Sequence, residues 1–445
     1  MTDLIAARSL MAMSLGFHII FAVVGMAMPL LMVVAEWRWL KTGQAVYLTI
    51  AKRWAKGTAI FFAVGAVTGT VLSFQLGLLW PGFMKWAGPI IGPAFAIEGF
   101  AFFTEAIFLG IYLYGWNKVS PAAHLTAGGV VALSGIASGV VVVMANGWMN
   151  TPRGFVMHGE ILANIDPVAA LFNPSGLWQA PHMILAAFAA AGFAVAGIHA
   201  FLLLRHPGNM FHLSALKIAF VIGGISAILQ PLSGDFLAKQ VAEFQPLKLA
   251  VFEAQAETQR GAPFRVGGVW NSKTESFDHV LEIPYALSLM LTSDPDGQVT
   301  GFKDFPKENW PPMGITRTAF QLMVFIGFLM TGLAVWGLWL MYKKRSLSRA
   351  RRFLQATVLA TPLGFLAIEA GWVSTEVGRQ PWVIVGYLKT AEAVTPMPGL
   401  MTPLMIFAAL YAFLTCIVIW LMWRHVSATP SQFEMASHAE KSEPA

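Results

Sequence analysis

Among the ionisable residues within or at the ends of the long apolar stretches of this 445-residue chain, six are candidates for chemistry. They are His18, Glu98, Glu105, His182, His199 and Glu376. An ionisable side chain is costly at membrane depth, so each is a candidate for proton transfer or metal ligation if these stretches cross a bilayer. The alternative is an interfacial side chain that extends its charged end to water.

The composition indicates a membrane protein. Hydrophobic residues make up 56% of the chain, charged residues 12%, and the mean hydropathy is +0.63. Soluble proteins have roughly 45–50% apolar and about 25% charged residues, so an ordinary soluble domain is excluded. The single cysteine, Cys416, excludes a disulfide scaffold and a cysteine-rich metal centre. The net charge of +6 is gathered in short loops, which is typical of membrane topology rather than of nucleic-acid binding.

Nine stretches are apolar over the length of about 20 residues that a helix needs to cross a bilayer. They lie at 14–35, 57–79, 93–115, 124–146, 183–204, 216–233, 318–341, 354–376 and 400–423. The first has neither the basic cluster nor the cleavage site of a signal peptide. The sequence therefore predicts an all-α polytopic membrane protein.

Basic residues in short loops set the orientation of such a protein. They concentrate after the first and seventh stretches, at Arg38, Lys41, Lys52, Arg53, Lys56, Lys343, Lys344, Arg345, Arg349, Arg351 and Arg352. This bias places the N-terminus outside and the C-terminus inside.

The spans divide the chain into four regions. Helices 1–6 occupy 1–233, a long extracytoplasmic loop 234–316, helices 7–9 occupy 317–424, and a polar tail predicted to be disordered covers 425–445. The loop is expected to begin as a helix over Asp235–Thr258 and then to become irregular. A loop of this length is uncommon unless it is functional.

Four of the ionisable residues share the outer half of the predicted bundle: His18, Glu98, His182 and Glu376. His18 follows Gly16 closely, and His182 precedes an alanine-rich run. Small residues let a flat macrocycle approach the backbone, and haem iron is a common partner of a buried imidazole. This setting favours ligands over interfacial anchors.

Met323 lies at the same predicted depth as His182. A His/Met pair gives low-spin iron suited to electron transfer, although in a chain with 22 methionines Met323 taken alone favours packing. No histidine cluster suited to a haem–copper centre is present among the ten histidines. His199 falls near the opposite membrane face and is interpreted as structural.

Five segments in a fixed order carry a family resemblance. They are Arg8–Phe21, Ala96–Gly99, Ala145–Met149, Gly234–Asp235 leading to Gln245–Leu249, and Gly378–Trp382 with Glu376 just before it. Together they resemble subunit I of the cytochrome bd family of quinol oxidases. The resemblance implies an electrogenic quinol:oxygen oxidoreductase that oxidises quinol outside and reduces O₂ to water, building a proton gradient by charge separation without pumping.

The resemblance also implies three haems and their ligands. His18 and Glu376 resemble the axial ligands of two high-spin haems, and His182 with Met323 resembles the pair on the low-spin haem b (b558). The high-spin haems are haem b (b595) and either haem d or a third haem b. Four further positions match residues lining the high-spin cluster: Ser138, Asn146, Trp372 and Arg379.

Two acid–base groups complete the implied site. Glu98 and Glu105 resemble the acids that deliver protons to the high-spin haems, and their spacing places them on one helix face, which is also common packing periodicity. Lys248 and Glu253 match the quinol-site pair in the long loop. A carboxylate and an ammonium there could bind and deprotonate a diol, whereas the alternative is a solvated pair.

The resemblance implies partners and a location as well. The partners are cytochrome bd subunit II, often a very small single-span subunit, ubiquinol or menaquinol, O₂ and the lipid bilayer, with no nucleic acid. The location is the bacterial cytoplasmic (inner) membrane. For a member of this family, the segment between the sixth and seventh spans is short, and in this the chain resembles the short-loop branch, which includes cyanide-insensitive oxidases. Gln321 departs from the arginine that long-loop members carry two positions before the methionine, which bears on the potential of the low-spin haem.

Two other classes stay open on sequence grounds. One is an ion-coupled transporter or channel with intramembrane acids, which would place its substrate residues at mid-membrane. The other is a haem b quinone electron-transfer subunit without oxygen chemistry.

Overall fold

The computed structural model describes residues 2–159 and 161–427, and most of them are helical. The helices are α1 (Asp3–Thr42), α2 (Ala45–Leu79), α3 (Pro81–Tyr114), α4 (Pro121–Asn150), α5 (Pro167–Leu171), α6 (Pro174–Arg205), α7 (Met210–Phe244), α8 (Pro246–Phe252), α9 (Ala286–Thr292), α10 (Met313–Tyr342), α11 (Arg351–Leu359), α12 (Leu363–Val377), α13 (Thr390–Ala393) and α14 (Met401–Ser427). The predicted tail at 425–445 falls mostly on residues 428–445, which lie outside the described part of the chain.

The membrane spans confirm the predicted fold class. Within the described ranges, nine helical segments are long and apolar enough to cross a membrane. Eight are single helices, and the remaining span, Arg351–Val377, is formed by α11 and α12 together. A turn at 360–362 separates the two, and it contains Pro362, which has no backbone N–H to donate to a helix.

The bundle has two chemically different ends. The first, here called the basic end, is where α1 passes to α2 and α10 to α11, and it carries the predicted basic clusters. The second, here called the loop end, is where α7 passes to α8 and α10 begins. The prediction that the basic end faces the cytoplasm follows from its charge.

The sixth span is longer than the sequence predicted. α7 continues through Gly234 to Phe244, and an ion pair between Lys239 Nζ and Asp235 Oδ2 (2.7 Å, i,i+4) supports its polar last turns. The predicted helix over Asp235–Thr258 is wrong as one element, because Pro246 interrupts it and α8 ends at Phe252. Helix α7 therefore ends at Phe244, beyond the end of the sixth apolar stretch at 233.

The long loop and two other connections between helices contain strands that the sequence analysis did not predict. Strands β1 (Val156–His158) and β2 (Ile161–Ala163) form a hairpin before α5, and β7 (Trp382–Ile384) pairs with β8 (Leu388–Lys389) after α12. In the loop itself β3 (Gln259–Arg260) pairs with β6 (Gln298–Val299), and β4 (Phe264–Asn271) pairs with β5 (Ser276–Ile283). All four pairings are antiparallel.

The centre of the bundle is the contact between α6 and α7. Gly192 and Gly223 meet there, and a Cβ atom at Gly192 would lie 2.6 Å from Gly223 Cα. α6 also contacts α4, α11, α12 and α1. The alanine-rich run in α6 therefore permits close backbone packing at the helix that carries His182.

Candidate haem and quinol site

Each of the two predicted ligand histidines is paired with a hydroxyl group. His18 Nδ1 lies 2.9 Å from Thr68 Oγ1 on α2, and His182 Nδ1 lies 2.9 Å from Ser233 Oγ on α7. Both hydroxyls donate their proton to a carbonyl of their own helix: Thr68 to Val64 and Ser233 to Gln230. Each hydroxyl therefore accepts from the imidazole, so the proton of each ring sits on Nδ1 and the lone pair on Nε2.

This tautomer suits iron ligation. A ligating histidine ordinarily donates its second ring nitrogen to a neighbour, which fixes the orientation of the ring. The Gln230 Nε2 amide donates to His182 Nε2 at 3.0 Å, which marks that nitrogen as the acceptor. Gly234 lies beside His182 and Gly69 beside His18, where Cβ atoms would be 3.6 Å and 3.1 Å from the ring Cε1 atoms. The residues present therefore fit a flat macrocycle at each histidine.

Met323 is placed by the contact between α10 and α12. Its Sδ atom lies against Gly371, where a Cβ atom would be 2.7 Å away. His182 is held by α7, through Ser233 and Gln230. The two predicted ligands of the low-spin haem thus project from α6 and α10, two helices that both pack against α7.

Glu376 lies at the end of α12 with two partners that the sequence analysis had assigned to the same cluster. Its Oε1 accepts from Asn146 Nδ2 at 2.6 Å, and its Oε2 pairs with Arg379. The Arg379 Nε and Nη1 atoms are buried and have no hydrogen-bond partner among the described residues. Buried unpaired donors of this kind fit the carboxylate of a haem propionate.

Helix α4 forms a common wall for three parts of the predicted site. Ser138 Oγ donates to Glu98 Oε1 at 2.9 Å, and Asn146 contacts Glu376 as described. Asn150 Oδ1 accepts from Lys248 Nζ at 2.6 Å. One helix therefore touches a predicted proton carrier, a predicted ligand and a predicted quinol-site residue.

The two acids on α3 face α4 and α1. Glu105 is 7% exposed, and its carboxyl group lies 3.3 Å from the position of a Cβ atom at Gly135 on α4. Gly25 on α1 is on its other side, at 3.9 Å by the same measure. Glu98 lies about two helical turns nearer the loop end than Glu105, and its carboxylate accepts from Ser138. The predicted shared face of the two acids is thus the face that packs on α4.

The loop pair is buried rather than solvated. Lys248 is 5% exposed and Glu253 2% exposed. Burial, together with the charge of Arg379, lowers the pKa of the Lys248 ammonium to about 7. Burial raises the pKa of the Glu253 carboxyl to about 7, against the opposing charges of Arg317 and Arg265. Both groups therefore exchange protons near neutral pH.

Lys248 also connects the loop to the end of α12. Its Cγ atom lies 3.3 Å from the position of a Cβ atom at Gly378, between Glu376 and Arg379. Lys248 therefore lies next to the Glu376–Arg379 segment.

Two residues of the site were missed from the sequence. Glu369 on α12 has Oε2 3.2 Å from the Cβ position of Gly16, and Trp372 lies beside it at 3.9 Å. The rule applied to the other intramembrane acids would have identified Glu369, because it stands in the eighth apolar stretch. Arg317 is fully buried and donates to the carbonyls of Phe252, Arg265 and Gly267. In the sequence, nothing about an arginine at the start of a span indicates that it binds backbone carbonyls of a distant loop.

Gln321, the departure from the family pattern, is also engaged with the loop. Its Oε1 accepts from the Gly267 N–H at 2.7 Å, and its Nε2 donates to the Arg265 carbonyl at 3.2 Å. His199 lies apart from the site, in contact with His212 (Nδ1–Nδ1 3.0 Å) at the basic end.

The fold and the site define a multi-pass membrane protein in which the predicted ligands His18, His182 and Glu376 have specific polar partners. A family model described as cytochrome bd terminal oxidase subunit I matches residues 6–430. The chain is 38% identical over 432 residues to a putative cytochrome bd menaquinol oxidase subunit I of Bacillus subtilis (strain 168), covering 95% of this chain and 96% of that protein. It is 31% identical over 441 residues to a cytochrome bd ubiquinol oxidase subunit 1 of the same organism, covering 96% and 94%.

A solved structure agrees with these sequences. The bd oxidase from Geobacillus thermodenitrificans aligns with a TM-score of 0.91 and 38% identity, covering 96% of this chain and 99% of that one. The chain belongs to the cytochrome bd terminal oxidase subunit I family. Membership implies haem cofactors and favours an oxidase over the transporter that the sequence left open.

Proposed function

We propose that this chain is the haem-bearing subunit of a terminal oxidase that takes electrons from quinol at the loop end and reduces O₂ to water within the bundle. The support comes from the family and from the site together. Relatives are named menaquinol and ubiquinol oxidase subunits, and this chain carries the matching acid–base pair in its loop.

The single observation that carries the proposal is the shared geometry of the two histidines. Each has its Nδ1 bound by a hydroxyl whose own proton is committed to a carbonyl. This leaves the lone pair on Nε2 of each ring, the tautomer in which imidazole binds iron through that nitrogen. A transporter has no need for two such arrangements.

Four residues hold the haems in this proposal. His182 with Met323 binds a low-spin haem b (b558), and His18 and Glu376 each bind one high-spin haem, either b595 or a haem d or third haem b. Bound haem supplies electron transfer and the reduction of oxygen. Arg379 orients Glu376 and offers its remaining buried donors to a propionate, while Asn146 holds the second carboxyl oxygen.

The loop pair binds and deprotonates quinol. A carboxylate with a pKa near 7 accepts a hydroxyl proton at physiological pH, which is the role of Glu253. Lys248 donates a hydrogen bond to the quinol oxygen from a position fixed by Asn150. The protons released there leave at the loop end.

Glu105 and Glu98 deliver the protons that oxygen reduction consumes. Ser138 holds the Glu98 carboxyl, and Gly135 gives space to that of Glu105. With the basic end facing the cytoplasm of a bacterial inner membrane, protons are taken up inside and released outside, so charge is separated without a pump. Subunit II and a small single-span subunit complete the complex.

The direct test is quinol-driven oxygen consumption by the purified complex. Lys248→Ala and Glu253→Ala should each lower kcat/KM for quinol by about tenfold or more, because a proton-transfer group is removed, while every haem stays bound, because neither residue is a predicted haem ligand. Lys239→Ala, on the exposed side of α7, is the matched control and should keep normal turnover. Normal quinol turnover in both loop variants would contradict the assignment of the quinol site.

A further inference from the structure

A cavity opens at the basic end of the bundle and extends inward as far as Ile20. It has a volume of about 260 Å³ and is enclosed by α1, α2, α6, α7, α12 and α14. Its mouth is lined by Arg53, His425 and Val426, and its far end by Ile20, Phe61 and Phe365. Arg53 and Phe61 stand on the same helix, about 12 Å apart along its axis. The cavity is therefore a shaft that runs from the membrane surface into the bundle.

The mouth of the shaft is basic. The Arg53 guanidinium donates to the His425 carbonyl at 2.9 Å, and His425 Nε2 lies 2.9 Å from the Arg53 carbonyl, so α2 and α14 are joined there. His199 and His212 contact each other in the same lining, and the Arg53 guanidinium lies 5.9 Å from the centroid of the neighbouring Phe211 ring. None of the described lining residues is acidic, and Lys56 stands nearby on the exposed side of α2.

The body of the shaft is apolar. Ala191, Ala194 and Val195 of α6 face Val24 and Met28 of α1 across it. α14 packs chiefly against α1 and α2, so the shaft lies between this outer helix and the centre of the bundle. Protein interiors are close-packed, and an unfilled apolar space forfeits the contacts of its walls.

We propose that this shaft binds one acyl chain of an anionic phospholipid, with the lipid phosphate at Arg53. Guanidinium groups bind phosphate in a bidentate manner, and basic pockets between membrane helices on the cytoplasmic side bind anionic lipid head groups. The combination of a cationic mouth and an apolar shaft matches a lipid. Free phosphate leaves the shaft unfilled, and a quinone offers no charge to the mouth. The lipid anchors α14 to the bundle, a role separate from the oxidase reaction.

The test uses the complete complex purified in mild detergent. Native mass spectrometry and lipid extraction should find a tightly held phosphatidylglycerol or cardiolipin in the wild type. Arg53→Gln removes the phosphate contact, and Ala194→Phe fills the shaft, so each should lower the retained anionic lipid by about tenfold. Lys56→Gln removes an exposed charge at the same end without touching the shaft and should retain the lipid.

Adding lipid back gives an independent readout. Phosphatidylglycerol should raise the Tm of delipidated wild type, phosphatidylcholine should raise it less, and neither should raise that of Ala194→Phe. Haem absorbance reports whether each variant has assembled. The proposal is overturned if the wild type retains no anionic lipid, if the extracted molecule is a quinone, or if Ala194→Phe retains lipid at the wild-type level. Should neither variant assemble, the wild-type lipid content and its response to added lipid decide the question.

Discussion

At the scale of single residues, the molecule fixes histidine tautomers with hydroxyl groups. Thr68 and Ser233 are ordinary helix residues by sequence, and each donates to a carbonyl of its own helix. Their second function, accepting from His18 and His182, appears only when the helices are packed. The histidines could be predicted from their apolar surroundings, whereas their partners are about fifty positions away and could not.

Replacing Thr68 by valine tests the arrangement at His18. The valine keeps the shape but removes the acceptor for Nδ1–H, so the affinity for the haem at His18 should fall by about 10- to 100-fold. The measurement is haem stoichiometry and carbon-monoxide-binding amplitude after washing the purified complex. Thr70→Val, an exposed threonine on the same helix, is the control and should leave both unchanged. Equal haem retention in the two variants would remove the role assigned to Thr68.

The pKa values of Glu253 and Lys248 predict how quinol oxidation depends on pH. The Glu253 carboxylate forms as the pH rises through about 7, and the Lys248 ammonium is lost over the same range. The value of kcat/KM for quinol should therefore be bell-shaped, with its maximum near neutral pH. Glu253→Gln should remove the acid limb and leave the alkaline limb. An acid limb that persists in this variant would assign it to another group.

At the scale of the elements, the sequence predicted the nine spans because each contains an apolar run long enough for a bilayer. It predicted a separate helix from Asp235 onward but not that α7 continues through this polar segment to Phe244, since hydropathy ends before the helix does. It also missed the hairpin β4–β5, because its alternation is interrupted by Gly267 and Gly268, both with positive φ. The structure of the loop depends on contacts between β4 and α10, two elements that are remote from each other in the sequence.

Arg317 is the main connection between the loop and the bundle. Its guanidinium donates to three carbonyls, one at the last residue of α8 and two in β4. Arg317→Gln leaves buried acceptors unpaired and should destabilise the loop locally by about 3 kcal/mol or more. Limited proteolysis should then cut within 253–312 faster than in wild type, whereas Arg260→Gln, at an exposed position, should not change the rate. Identical cleavage rates would show that the loop is held by other contacts.

At the scale of the whole molecule, the loop end and the basic end of the bundle carry different features. The loop end holds the buried acid–base pair, Glu376 and His182, and the basic end holds the lipid-type shaft. α4 runs between them, contacting Lys248, Glu376 and Glu98 in turn. The clustering of predicted site residues near one end was visible in the sequence. Their mutual contacts were not, because they depend on which helices are neighbours.

The measurement that tests the central claim most directly is the dithionite-reduced minus oxidised absorption spectrum, with and without carbon monoxide. It compares the purified wild-type complex with His182→Ala. The account predicts haem bands in the wild type, part of which shift with the gas. It predicts that His182→Ala loses the gas-insensitive low-spin band and keeps the gas-sensitive part. A folded complex made with ample haem that shows no haem bands, or only gas-insensitive ones, would contradict an oxygen-reducing haem site in this chain.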